Sequence, residues 1–433
     1  MKNAAFLVFF SLCVAPGAVC QQHEDPAIDG YVTRVASASD FDVNGFHVLC
    51  GPDTQTTVGH LESNEVLSNQ GCPQDRPYLG EPMKIFGSLK KKAHAVEAEQ
   101  IEARPVVRGE IVGSAVIDEM PSPDSAGAQP GILMLHADGY RIAISGKTAV
   151  TCDLPLKSIA GVGAGDWITY KGRQRPDGVI EAESVQISPG TVSDDEQRLR
   201  QKHDFDPSTT PSDAKQNKVK VAFGDVDPRK IPLFKDPAMQ ARVSAIGNKL
   251  VPAYQRRLPD TAPAKIHFRF ELVDAKNWHD AWTLPSGIIF VPYQVVERMQ
   301  NDSQLAAVLA DNIACALERQ EFRFGDIQTE LAVTSLGSEA IGLVVPGAGL
   351  VGEAADIGAQ EIQTKMLQQS ARVSLGLLHD AGYDIDQAPL AWWLLAPNKP
   401  EPIAKILLPE RAGYVYRALG ENWQGLVAVP AKL

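Results

Sequence analysis

The stretch QLAAVLADNIACALERQ, residues 304–320, decides how the C-terminal half of this 433-residue chain folds. Positions that would face a protein core recur in it at helical spacing, and they are Leu305, Val308, Leu309, Asn312, Ile313 and Ala316. Such spacing, three and four residues apart, is typical of an amphipathic α-helix. Residues 301–303, Asn-Asp-Ser, are types preferred at helix N-termini, so we expect a buried helix that begins there.

The elements before this helix follow a regular order. A predicted helix starts at Phe-Lys-Asp-Pro, residues 234–237, and residues 266–273 alternate as a strand. A second strand is predicted in AWTLPSGIIFV, residues 281–291. From about Asp227 to Asp384 this order resembles the peptidase domain of the zinc metallopeptidases related to HtpX and the CAAX prenyl protease.

Two motifs carry the resemblance. Residues 281–291 are similar to the family's N-A-F-A-x-P-G-G-x-I-x-V, and AGYD at 381–384 matches the end of a later helix in the family. The resemblance implies a helix-rich α+β domain of the zincin fold over residues 219–396. Residues 397–433 would then form a C-terminal extension.

The family carries H-E-x-x-H on the central helix, in which both His bind zinc and the Glu is the general base. The five positions here are DNIAC, so Asp311 and Cys315 stand at the ligand positions and Asn312 at the base position. Counting back from residues 381–384 puts Leu367 at the third ligand, a Glu in the family, and Ala371 at the Asp that supports it. Asn312 cannot accept a proton and Leu367 cannot bind a metal, so the sequence predicts no catalytic residue, no metal and no cofactor.

An alternative stays open. Asp311 and Cys315 lie one helical turn apart, and both are zinc-ligand types, so the chain could be a zinc-dependent metalloendopeptidase with unusual ligands. A cysteine nucleophile at Cys315 would need a nearby His, and the sequence places neither His279 nor His379 beside it.

The resemblance also implies where a partner would bind. In the family the substrate lies along the strand that edges the cleft, which corresponds here to Gly287, Ile288, Ile289, Phe290 and Val291. Unpaired backbone groups of an edge strand can add an extended peptide. We therefore expect a degenerate protease that binds a peptide or protein partner.

The N-terminal half contains a repeat, residues 28–104 and 106–188, so several domains are expected. Each copy opens with a strand, 28–32 or 107–112, and has a central Asn44-Gly45 or Asp138-Gly139 turn followed by further strands. Asn-Gly and Asp-Gly are strong hairpin signals. The repeat predicts two small, mostly antiparallel, OB-like barrels, and it resembles a small β domain of unknown function found in exported bacterial proteins.

We expect these barrels to act as spacers rather than as nucleic-acid binders. They lack the basic groove with aromatic side chains that single-stranded nucleic acid requires, and the chain carries a net charge of −12. Residues 190–218 are mostly polar with few large apolar side chains, which predicts a flexible linker before the third domain.

Residues 1–20 predict a signal peptide, with Lys2, an apolar run from Ala4 to Val14, and small residues before Cys20. We therefore expect a periplasmic or extracellular protein; a lipid anchor on Cys20 stays open. No later stretch is long and apolar enough to predict a membrane span in the mature chain.

Export permits disulfide bonds. Cys50 and Cys72 lie in one small β unit, so we expect them to be bonded. Cys152 and Cys315 lie in different predicted domains and are expected to remain thiols.

Overall fold

The computed structural model describes residues 26–59, 66–103, 110–120, 131–175, 179–209, 228–275, 278–320, 322, 353–396 and 410–423. The first barrel contains β1 Ile28–Ser37, β2 Asp40–Val43, β3 Phe46–Leu49, β4 Gln55–Gly59, β5 Val66–Gln70, β6 Pro82–Lys90 and β7 Ala95–Ala103. The second contains β8 Glu110–Glu119, β9 Ile132–Ala137, β10 Tyr140–Ser145, β11 Ala149–Cys152, β12 Trp167–Gln174 and β13 Val179–Ser188.

A helix-rich region follows. Its helices are α1 Asp194–Lys202, α2 Pro237–Leu250, α3 Ala253–Arg257, α4 Tyr293–Arg298, α5 Asp302–Leu317, α6 Glu353–Asp380, α7 Ala388–Leu395 and α8 Glu410–Asn422. Its strands are β14 Arg269–Val273, β15 Trp282–Thr283 and β16 Ile288–Pro292. None of the helices described here is long and apolar enough to cross a membrane.

Two closed five-stranded barrels form the N-terminal half, as the repeat predicted. In the first, β1, β2, β3, β6 and β7 close through a parallel β3–β7 pairing. In the second, β8, β9, β10, β12 and β13 close through the equivalent β10–β13 pairing. The β4–β5 hairpin extends the first sheet beyond β7, and β11 extends the second sheet beyond β13.

The two predicted turns have the left-handed backbone that their residues favour, with φ of 50° at Asn44 and 42° at Asp138. Each side chain then accepts a backbone N–H from the opening strand, Asn44 from Tyr31 at 3.0 Å and Asp138 from Val116 at 2.7 Å. Tyr31 and Val116 are therefore equivalent. The sequence analysis matched residues 28–32 with residues 107–112, which is six residues too early in the second copy. The pairing of the opening strands with β6 and β12 gives the correct match.

The second barrel shares its core with the helical region, whereas the first has its own. The Asp138-Gly139 turn meets α6 at Gly376, and the Tyr140 hydroxyl donates to the Arg372 carbonyl at 2.9 Å. The spacer expectation is therefore wrong for the second barrel. An alternating sequence pattern predicts which residues face the interior of a barrel. It does not predict which part of the outer surface packs against another domain.

The first barrel contacts α8, where Gly80 lies against the backbone of Tyr416 and Gly420. It also contains the Cys50–Cys72 disulfide, with a Cα–Cα distance of 5.4 Å. Cys152 and Cys315 carry no disulfide.

The predicted linker is not featureless over residues 190–209. Ser193 caps α1 by accepting the Glu196 N–H at 3.2 Å, and buried Glu196 pairs with Arg200 of α1 and with Arg319 beyond α5. The composition of this segment, which is poor in apolar side chains, predicted a linker. Ion pairs rather than apolar contacts fix α1 to the rest of the protein. Residues 210–218 lie outside the described part of the chain.

Helix α5 lies at the centre of the C-terminal region and confirms the buried helix predicted from residues 304–320. Leu305, Val308, Leu309 and Ile313 are fully buried. Asn301 caps the helix by accepting the Gln304 N–H at 2.9 Å. Helices α2, α6 and α7 pack around it, and the three-stranded sheet has the order β14–β16–β15.

The glycine contact between α6 and the second barrel gives the first prediction. Ala in place of Gly normally stabilises a helix interior by about 1 kcal/mol. At Gly376 an added Cβ would lie 2.1 Å from the Asp138 carbonyl oxygen. We expect Gly376→Ala to destabilise the protein by about 1–2 kcal/mol net, because overpacking outweighs the helix preference.

Thermal unfolding checks this sign, with Gly146→Ala as the control. A Cβ at Gly146 meets no atom within 4 Å. A Gly376→Ala protein as stable as the control variant would contradict the close approach of the barrel and α6.

Candidate functional site

The position that the resemblance assigns to the general base is locked by hydrogen bonds. The Thr283 hydroxyl of β15 donates to Asn312 Oδ1 at 2.7 Å, and Asn312 Nδ2 donates to the Val308 carbonyl at 2.9 Å. Asn312 is buried. Both ends of its amide are thus satisfied within the protein, and the side chain has no basic group for proton abstraction.

Asp311, at the first ligand position, pairs with an arginine. Helix α8 supplies Arg411, whose guanidinium donates to Asp311 Oδ2. The Asp311 side chain is only 4% exposed, and that of Arg411 is 31% exposed. The carboxylate that would bind a metal therefore lies against a permanent positive charge.

Two further groups hold this guanidinium. Asp280, in the loop before β15, has a carboxylate oxygen 3.7 Å from an Arg411 nitrogen. The Trp392 ring of α7 lies below the guanidinium, with 5.0 Å from the Arg411 Cζ to the ring centroid. A cation over an indole face is an attractive arrangement. Although burial lowers the pKa of Arg411, its carboxylate partners raise it further, so Arg411 remains charged.

The charges around Arg411 do not balance, since two carboxylates share one guanidinium. Burial raises the pKa of Asp280 to about 6, Arg411 opposes this shift, and the nearby Asp311 adds to it. Asp280 is thus the group of this cluster that becomes neutral in mildly acidic solution.

Cys315, at the second ligand position, lies beside the same charges. Burial raises the pKa of its thiol well above the usual range and Asp311 adds to the effect, while Arg411 and a hydrogen bond with Ser370 of α6 oppose it. A thiol in this state is a poor nucleophile, because the reactive species is the thiolate.

Helices α5 and α6 run antiparallel, which places Leu367, the residue that the resemblance assigns to the third ligand position. Gln320 donates to the Met366 carbonyl at 2.9 Å, and Ser303 accepts the Asp384 N–H at 3.2 Å at the opposite end. Between these contacts, Ser370 is the α6 residue that meets Cys315. Leu367 lies one turn earlier, half-buried, and its carbonyl accepts the Ser370 hydroxyl at 3.1 Å.

Strand β16 is not the sheet edge that the sequence predicted. It pairs in parallel with β14 and, through Phe290 and Ile289, antiparallel with β15. The prediction that Gly287, Ile288, Ile289, Phe290 and Val291 offer a free edge is therefore wrong. A tight turn, in which the Gly287 N–H donates to the Leu284 carbonyl at 2.9 Å, folds Trp282–Thr283 back as the outer strand.

In the described part of the chain, Ser370 and not a histidine is hydrogen-bonded to the Cys315 thiol. His379 lies nine residues beyond Ser370 on α6, which is about 13 Å along a helix. His279 and His267 have exposed side chains. Asn312, Cys315 and Asp311 thus bring together a neutral amide, a protonated thiol and an ion-paired carboxylate.

Sequence reasoning missed Arg411, Asp280, Trp392 and Ser370. The first three come from loops and helices that the zinc motif does not include. No family model matches this chain, and no curated protein matches it significantly.

The raised pKa of Asp280 gives a prediction for this cluster. Its folded-state pKa of about 6 exceeds the ordinary value of 3.8, so the folded protein binds the proton more tightly than the unfolded chain. The wild-type protein should therefore gain stability relative to Asp280→Asn as the pH falls from about 7 to about 5.

Urea unfolding of both proteins at several pH values measures the difference, with Asp260→Asn at an exposed position as the control. A difference in unfolding free energy that stays constant across this range would contradict the assignment of the titrating group.

Proposed function

We propose that this chain is an exported, non-catalytic relative of the zinc metallopeptidases that binds an extended peptide or protein partner in the cell envelope. The ion pair between Arg411 and Asp311 carries the proposal. Asp311 is the residue that the resemblance assigns to the first zinc ligand, and here a guanidinium pairs with it.

This substitution removes the chemistry of hydrolysis. Zinc activates water by lowering its pKa and polarises the carbonyl as a Lewis acid. Arg411 remains charged and has no vacant orbital, so it does neither. A divalent ion next to it would also be repelled, and Asp311 would have to release Arg411 to bind that ion.

The outer strand β15 supports the binding part of the proposal. Leu284 N–H donates inward to the Ile288 carbonyl at 2.8 Å. Since backbone groups alternate along an antiparallel strand, the N–H and C=O of the preceding Thr283 point to the outer side of the sheet. An extended peptide paired there would run beside α5, because Thr283 is hydrogen-bonded to Asn312.

Restoring the ligands tests the loss of metal chemistry. We expect the variant with Asp311→His, Asn312→Glu, Cys315→His and Leu367→Glu to bind zinc weakly while Arg411 remains. Adding Arg411→Gln should raise its zinc affinity at least about tenfold, because it removes a positive charge beside the ion.

Calorimetric zinc titration of the two variants measures this ratio. Equal affinities would show that Arg411 does not occupy the metal position. Peptide cleavage by the unmodified protein, abolished by Cys315→Ser together with its zinc, would establish the alternative of an active metalloendopeptidase.

Peptide binding is tested at β15. Ligands selected from a phage-displayed library of random dodecapeptides should lose most of their affinity for Thr283→Pro, which removes an outward N–H. The matched variant Thr283→Val keeps that N–H and removes only the hydroxyl. Selected peptides that bind Thr283→Pro as well as Thr283→Val would contradict pairing at this edge.

A further inference from the structure

We propose that Asp118, His136 and Asp380 form a binding site for one first-row divalent cation, at the seam between the second barrel and the end of α6. The three residues come from β8, β9 and the last position of α6. This site is separate from the cluster around Arg411 and does not depend on the proposed function.

The geometry brings three ligand atoms together. His136 Nδ1 lies 2.9 Å from Asp118 Oδ2, and His136 Nε2 lies 3.3 Å from Asp380 Oδ2. One ligand atom from each residue can be chosen so that all lie within 4.8 Å of one another. Ligands of one metal at about 2.1 Å lie closer together than this limit, so the three groups must close in on the ion, and one carboxylate must leave its present ring nitrogen.

The burial of Asp118 is a second observation that points to a cation. Its side chain is only 5% exposed, and Oδ1 has no hydrogen-bond partner among the described residues. Arg257 reaches this residue, but it donates to the backbone carbonyl at 3.3 Å rather than to the carboxylate. A buried carboxylate oxygen without a partner is costly, and coordination to a metal would satisfy it.

The local charge also favours a cation. Two carboxylates, those of Asp118 and Asp380, flank a single imidazole. A divalent ion would offset the negative charge of these two carboxylates.

The donor set selects the class of ion. One imidazole nitrogen with carboxylate oxygens suits Zn²⁺ or Mn²⁺ better than a soft ion such as Cu⁺. Solvent reaches the site from the Asp380 side, where that side chain is 40% exposed.

Binding here would join the barrel to the helix. Asp118 and His136 belong to the barrel, whereas Asp380 ends α6, so one ion would cross-link the two elements. The ion should therefore raise the melting temperature, because it binds the folded arrangement and not the separated strands and helix.

Calorimetric titration of the metal-free full-length protein with Zn²⁺, and separately with Mn²⁺, tests the proposal. We expect one ion per chain, a higher melting temperature, and an affinity reduced at least about tenfold by His136→Gln and by Asp380→Asn. The controls His267→Gln and Asp260→Asn change exposed residues of the same types outside the cluster. Asp380→Asn alters a partly exposed helix end, so it remains informative if His136→Gln does not fold.

Two results would overturn the site. In the first, neither ion binds, and the three residues form only an ion-paired bridge through a protonated imidazole. In the second, an ion binds but is unaffected by His136→Gln and Asp380→Asn. Loss of that ion in Asp311→Asn would instead place it at α5 and contradict the proposed function as well.

Discussion

The ion pair between Arg411 and Asp311 is the contact on which the C-terminal region depends. Asp311 is buried on the central helix, so its charge requires a partner within the protein. Removing one member of a buried pair typically costs about 3–5 kcal/mol, because the other charge is then left without compensation. Arg411 meets this requirement from α8, a helix that also packs against the first barrel through Gly80. The Arg411 side chain thus connects the centre of α5 to α8.

The positive charge beside Asp311 is the guanidinium of a side chain, so it cannot dissociate from the protein as a metal ion can. A metal centre can lose its ion and offers open positions to water, whereas Arg411 is fixed by Asp311, Asp280 and the Trp392 ring. The same cluster therefore stabilises the region and, under the proposed function, stands in place of a metal centre. Asp280 retains some sensitivity to pH, since its pKa of about 6 lies near the lower end of the physiological range.

Local patterns predicted the parts of the fold that depend on neighbours in sequence. The helical spacing of residues 304–320 gave α5, and the Asn44-Gly45 and Asp138-Gly139 turns gave the two barrels. The missed features depend on residues distant in sequence. Arg411 follows Asp311 by 100 residues. Gly376 is also far along the sequence from the Asp138-Gly139 turn that it contacts. The free edge predicted at residues 287–291 failed because a four-residue turn adds a two-residue strand too short to show alternation.

The coupling between Asp311 and Arg411 tests the account most directly. Urea unfolding of Asp311→Asn, Arg411→Met and the double variant, followed by circular dichroism, gives the interaction free energy of the pair. We predict a coupling of about 1–3 kcal/mol, so that the second substitution costs far less once the first is present. A coupling within about 0.5 kcal/mol of zero would contradict the claim that Arg411 is the cation of this centre.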